Sequence, residues 1–293
     1  MSPSVRRLEG AASELRALAS PCRLCPRECG ADRLGGETGA CGIGLHARVA
    51  SYGAHHGEEA VLAGRFGSGA VFLSGCNLSC AYCQNWSISQ RRDGTDLTAH
   101  ELATIFLRIQ TDGCHNLNLV TPTHQAHALV EALAVAAAGG FDLPIVWNCG
   151  GYEALSALRL LEGIVDIYMP DVKYGDDATA LRLSGISDYV GRSRIAIREM
   201  HRQVGDLAIG ADAIARRGLL VRHLVLPDGL AGTPAVMRFL AEEISLDTYV
   251  NVMDQYHASH RAGEIPSLDR RISPAEHNGA VQAAEDAGLH RFA

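Results

Sequence analysis

Six strand-length apolar runs, at residues 70–73, 117–120, 144–147, 165–169, 219–226 and 249–253, alternate with stretches of helical periodicity. No other feature narrows the fold so far. The helical stretches lie at residues 98–109, 125–138, 152–161, 178–204 and 233–243, where apolar side chains recur every three or four positions. Two parallel strands need a connection long enough to return across the sheet. Strand-helix alternation therefore predicts a parallel sheet with right-handed crossovers, either open and doubly wound or closed into a full or partial barrel. In both architectures chemistry gathers at the carboxyl ends of the strands.

The sequence places unusual residues there. The runs are followed by Ser74-Gly75-Cys76, Thr121-Pro122-Thr123-His124, Asn148-Cys149-Gly150-Gly151, Asp171-Val172-Lys173 and Asp254-Gln255-Tyr256-His257. Residues 8–20 form a short helical pattern ended by Pro21, and residues 22–44 are rich in Cys, Gly and Arg with little periodicity. Residues 1–62 are thus expected to form an N-terminal helix plus a Cys-rich metal-binding module, ahead of a catalytic unit at 63–293.

Charge and composition remove whole classes of function. The 33 acidic residues outnumber the 26 basic ones, for a net charge of −7, which argues against a surface that grips nucleic-acid phosphates. No apolar stretch reaches the roughly 18–20 residues of a membrane span, and the charged N-terminus lacks the apolar segment of a secretory signal. A cytoplasmic protein is expected. Seven of the nine cysteines fall into two tight clusters, the spacing of metal or iron-sulfur ligands and not of a secreted disulfide framework.

The first cluster, Cys76-x3-Cys80-x2-Cys83, follows the first strand. Three thiolates within eight residues can ligate three irons of a cuboidal cluster and leave the fourth open, as reactive metal sites require. A zinc site borrowing a fourth ligand elsewhere is the alternative. The segment CNLSCAYCQN closely resembles the cluster motif of radical S-adenosylmethionine (radical SAM) enzymes. With NLNLVTPTH, DIYMPDVKYGD, RHLVLP and NVMDQY, the chain is similar over most of residues 55–260 to the pyruvate formate-lyase activating-enzyme-like, PflX-type branch.

This resemblance implies an α/β fold with a partial (β/α)6 TIM-like barrel and a C-terminal extension. It implies a 4Fe-4S cluster on Cys76, Cys80 and Cys83, with Tyr82 and Asn85 at its edge, and S-adenosylmethionine on the free iron. Reductive cleavage to a 5′-deoxyadenosyl radical and hydrogen abstraction would follow, from a glycyl-radical protein, with a flavodoxin- or ferredoxin-type electron donor. Lys173, the sole lysine, lies in a Met-x-Asp-x-Lys segment similar to that of glycyl-radical activating enzymes. Lys173 is expected to meet the cofactor carboxylate and Asp171, with Asn148, to bind the cofactor or a small cation. His257 matches a histidine at the cofactor. A surface ion pair and a structural histidine are the plainer readings.

The wider superfamily usually carries a Gly-Gly-Glu-type segment after the second strand, where this chain has Thr121-Pro122-Thr123-His124. Thr121 and Thr123 can offer hydroxyls in its place. Cys22, Cys25, Cys29 and Cys41 form the second cluster; four thiolates fit zinc or a second 4Fe-4S centre equally by spacing. Simple activating enzymes lack this module. That difference keeps open a radical enzyme acting on a small molecule or on another protein modification, and a non-enzymatic metal or electron-transfer protein. His55, His56, Glu58 and Glu59 read as a solvated turn sooner than as barrel lining, and Cys114 and Cys149 as buried free thiols.

Overall fold

The structure, a computed structural model, describes residues 3–293. The chain begins with α1 (Val5–Ala17), β1 (Ala47–His55), α2 (Ala60–Ala63), β2 (Ser68–Leu73), α3 (Trp86–Ser89), β3 (Thr95–Leu97) and α4 (Ala99–Thr111). It continues with β4 (Leu117–Val120), α5 (Ala126–Ala138), β5 (Ile145–Cys149), α6 (Leu155–Leu160), β6 (Ile167–Pro170), α7 (Asp177–Ser184) and α8 (Tyr189–Val204). The last elements are β7 (Ala208–Ile209), β8 (Ala215–Leu224), α9 (Thr233–Glu243), β9 (Tyr249–Met253), α10 (Pro274–Asp286) and β10 (Arg291–Phe292).

All six apolar runs form strands. They are hydrogen-bonded in the order β2-β4-β5-β6-β8-β9, with every neighbouring pair parallel. Because this order never reverses, right-handed crossovers all step the same way and leave their helices on one face. The doubly wound alternative, whose strand order reverses at a switch point, is thereby excluded. A sheet covered on one face curls about the other, as a partial barrel does.

Short strands finish the edges. β1 runs antiparallel to β2, and β3 antiparallel to β1, so the stretch before residue 63 contributes directly to the main sheet. β10 extends the far edge in parallel with β9. β1, between β2 and β3, is buried at Ala47 and Val49 and only partly buried or exposed from Ala50 onward. The expected helix at 178–204 is broken into α7 and α8, because Gly185 takes φ 67° and caps α7 in the left-handed region. The extension at the C-terminus contains α10, started by a Ser273/Glu276 capping box.

The two sheet faces differ in chemistry. Leu119, Trp147, Tyr168, Val221 and Val250 pack outward against Phe106 of α4, Leu129 of α5 and Met200 of α8 in the main core. Alternate positions point inward. There Val146, Ile167, Met169 and Leu220 close on Leu62 of α2, which plugs the amino-terminal end of the barrel. Farther along the same strands the inward residues become polar. No helix among the described residues is long and apolar enough to cross a membrane.

Candidate functional site

A cavity of about 250 Å³ opens at the carboxyl ends of the strands. Cys80, Cys83 and Asn85 line it from the loop after β2, Asp171 and Lys173 from the segment after β6, and Arg222 from β8. A larger groove, about 520 Å³, lies along α1 and α5 on the helical side and carries no thiol.

The loop after β2 is forced into place by Gly75, whose φ is 77°. A Cβ there would fall 2.6 Å from Ile43 and 2.9 Å from the Cys41 carbonyl, so no other residue fits this turn. Downstream, Cys76 Sγ accepts from the Leu78 N–H at 3.3 Å, and Cys80 Sγ accepts from the Ser184 hydroxyl at 3.0 Å. Cys83 Sγ meets Ser89 Oγ at 3.2 Å. Tyr82 is buried, edge-on to Tyr174 and Tyr256, and wedges the loop against the core. Burial, then the neighbouring thiols, pushes the Cys76 and Cys83 thiols up.

The opposite wall is a network of charges. Asp171 receives Lys173 Nζ at 2.7 Å and Arg222 Nε at 2.9 Å. Arg222 also donates to Asn148 Oδ1 at 2.8 Å and to Glu58 Oε1 at 3.1 Å. Burial raises the Asp171 carboxyl, but Arg222 and then Lys173 outweigh it and bring it down to about 2. Burial disfavours the Lys173 ammonium, and Asp171 outweighs that to hold it well above its ordinary value. Both groups stay charged at neutral pH. Tyr189 fixes the backbone beneath them, accepting from the Lys173 N–H at 2.9 Å with its hydroxyl 3.0 Å from the Asp171 and Gly150 carbonyls.

Several expected residues thus meet at one cavity: Cys80, Cys83, Asn85, Asp171 and Lys173, with Asn148 behind them. Others are placed differently. Thr123 is buried and its hydroxyl donates to Glu153 Oε1 at 2.5 Å, away from the cavity. Thr121 holds φ 62°, a strained conformation for a β-branched residue, with its N–H on the Asn148 carbonyl at 2.7 Å. His257 is exposed and pairs through Nδ1 with Gln84 Nε2 at 3.1 Å. Cys114 and Cys149 are buried and free.

The reading of Glu58 and Glu59 as a solvated turn is corrected. Glu59 is buried and accepts from Asn251 at 2.9 Å, while Glu58 accepts from Asn118 at 2.6 Å as well as from Arg222. Glu58 thereby stands behind Arg222, which lines the cavity. Arg222 was missed outright. Its signal was an arginine inside the run 219–226, where only His223 beside it is also polar.

In the amino-terminal segment Cys22, Cys25 and Cys41 are buried and Cys29 is exposed. The segment packs on the back of the Cys76 loop, where Arg27 Nε donates to the Asn77 carbonyl at 2.5 Å. Among the described residues, no group of three or more His, Cys, Asp or Glu side chains could hold a metal ion as they stand.

Residues 71–206 match the family model of the radical SAM superfamily. The chain is 30% identical over 278 residues to an uncharacterized protein of Methanocaldococcus jannaschii, covering 92% of this chain and 75% of that one. Among solved structures it resembles Streptococcus suis SuiB bound to S-adenosylmethionine, at TM-score 0.51 and 10% identity. It also resembles the FeFe-hydrogenase maturase HydG of Carboxydothermus hydrogenoformans, at TM-score 0.50 and 13% identity. The first likeness covers 74% of this chain and 47% of SuiB, the second 73% and 49% of HydG, so the chain spans about half the length of either. The chain belongs to the radical SAM superfamily.

Membership implies S-adenosylmethionine and a 4Fe-4S cluster as cofactors. The donor set fits: three thiols follow one strand end, each beside an N–H or hydroxyl donor suited to a thiolate, next to a cavity holding an ammonium and a carboxylate.

Proposed function

We propose that this chain is a radical SAM enzyme whose reaction takes place in the strand-end cavity, and that it activates a glycyl-radical protein of the pyruvate formate-lyase kind. The observation that carries the reading is the shared cavity of Cys80, Cys83, Asp171 and Lys173. When bound, a reduced 4Fe-4S cluster supplies one electron to break a carbon-sulfur bond of S-adenosylmethionine, giving methionine and a 5′-deoxyadenosyl radical that takes a hydrogen atom from substrate.

In this reading Cys76, Cys80 and Cys83 hold the cluster, and their hydrogen-bonded setting tunes it. Lys173 turns its ammonium to the methionyl carboxylate. Asp171 orients Lys173 and, with Asn148 and Arg222, keeps the polar wall rigid before anything binds. Asn85 and Thr121 would offer polar groups to the cofactor, Tyr82 would exclude water from the cavity wall, and His257 would support the rim through Gln84. The glycine to be attacked arrives on a partner protein, and a flavodoxin or ferredoxin in the cytoplasm delivers the electron.

The test is anaerobic reconstitution with iron and sulfide, reduction in the presence of S-adenosylmethionine, and assay of 5′-deoxyadenosine. Product is expected from the wild-type chain. Lys173→Ala is expected to keep cluster iron while weakening S-adenosylmethionine binding about 10-fold or more, the loss of one charge-assisted contact. Unchanged affinity would remove Lys173 from the site, and no product from iron-loaded protein would leave the metal or electron-transfer reading in its place.

A further inference from the structure

Arg33 lies in the amino-terminal cysteine segment with only 1% of its surface exposed. Its Nη1 donates to the His124 carbonyl at 2.7 Å, its Nη2 donates to Cys41 Sγ at 3.3 Å, and its Nε has no partner. No carboxylate among the described residues pairs with it. The buried acid on the same side of the molecule, Glu153, is engaged by Thr123 at 2.5 Å and Trp147 at 3.4 Å. The two buried histidines beside it carry no negative charge to offer. A guanidinium is charged at every accessible pH, and burying one without an anion is expensive.

The surrounding groups that can become anions are thiols. Cys22 is held just ahead of Arg33, its N–H donating to the Ala31 carbonyl at 2.9 Å and its carbonyl accepting from the Gly30 N–H at 3.1 Å. The Cys25 carbonyl accepts from the Glu28 N–H at 3.0 Å, which turns the chain into Cys29. A Cβ built on Gly39 would touch both Cys29 Sγ, at 3.3 Å, and Arg33 Nη2, at 2.8 Å, so the guanidinium and this sulfur share one small space. Four thiolates around a divalent zinc, or around an oxidised 4Fe-4S cluster, carry a net charge of about −2.

We propose that Cys22, Cys25, Cys29 and Cys41 form a closed metal-thiolate centre, and that Arg33 is its buried counter-charge. Binding converts four thiols to thiolates and releases their protons to solvent, and the anionic centre then satisfies the cation. Arg33 is a positioning residue: it touches no reacting atom, and it ties the centre to the loop after β4 through the His124 carbonyl. The shared chemistry is a four-thiolate anion. Zinc and iron-sulfur are its two sources.

The experiment uses the full chain with Cys76, Cys80 and Cys83 all changed to Ala, so that metal at the cavity cannot contribute. Zinc, iron and acid-labile sulfide are counted after anaerobic purification. About one zinc, or about four iron with matching sulfide, is expected per chain and is lost when Cys25→Ala and Cys41→Ala are added. Arg33→Met is expected to speed metal loss to a chelator about 10- to 100-fold, with partial rescue by Arg33→Lys. The same variant should melt lower than its parent when loaded and higher when stripped, because only the stripped parent buries an uncompensated charge. Arg33→Gln is read in the same two ways if Arg33→Met gives no soluble chain. A chain free of metal overturns the centre, and parent-like chelation and melting in the Arg33 variants overturns the counter-charge. Neither result touches the 5′-deoxyadenosine assay, so the two proposals fail separately.

Discussion

The two cysteine clusters are built from the same side chain and sit in different surroundings. Cys76, Cys80 and Cys83 follow a parallel strand and adjoin a cavity whose far wall is the Asp171, Lys173 and Arg222 network. Cys22, Cys25 and Cys41 are buried on the back of that loop and Cys29 is exposed at its edge, with Arg33 joining Cys41 to the turn after β4. The difference lies in the neighbours: a cavity with a charged wall beside one triplet, a single buried cation beside the other cluster. An open side with charged neighbours suits a cofactor that must be exchanged.

The largest effect should distinguish the clusters directly. Cys80→Ala is expected to abolish 5′-deoxyadenosine formation, while Cys25→Ala lowers the thermal midpoint and leaves product detectable per cavity iron. Equal loss of product in both variants, at equal cavity iron, would erase the distinction. Next in size is Arg222→Met, which leaves Asp171 and Glu58 without their shared cation inside the barrel. A loss of about 3–5 kcal/mol in urea unfolding is expected, as for breaking a buried ion pair; a loss below about 1 kcal/mol would mean that water replaces the guanidinium.

Glu153 is buried, and its carboxyl is pushed up to about 7 by that burial, with Thr123 and Trp147 only partly offsetting. The folded chain therefore favours the protonated form. Its contribution is fully present below the unfolded value near 4.5 and is lost as pH rises through 7. Glu153→Gln should flatten the fall in stability between pH 5 and pH 8 by up to about 3 kcal/mol, measured by denaturant melts across that range. A parallel offset at every pH would exclude a titrating carboxyl there. The smallest effect belongs to Thr123→Val, about 1 kcal/mol of stability with S-adenosylmethionine affinity unchanged, because its hydroxyl is spent on Glu153 and not on the cavity.

Local chemistry made much of this molecule legible before any tertiary contact was known. A period of two or of 3.6 residues is written into a short window, so the six parallel strands and α9 could be read directly, and the Cys76 triplet is complete within eight positions. Lys173 drew notice as the sole lysine at a strand end, and it does face the cavity. The edge strands β3, β7 and β10 span three residues or fewer, too short to carry a period.

What the sequence determined, then, was the alternation of strand and helix and the spacing of the cysteines, because both depend on near neighbours along the chain. Only the tertiary structure decided the partners across it. Arg222 and Glu58 are 164 residues apart, Arg33 and the His124 carbonyl 91, and no window of sequence contains either pair. Thr121 and Thr123 show the same limit at short range: two hydroxyls, two positions apart after one strand, are sent to different surroundings by a left-handed backbone at the first and a buried carboxyl at the second. A charge or hydroxyl is assigned its role by what shares its low-dielectric surroundings, and those surroundings exist only once distant segments have packed.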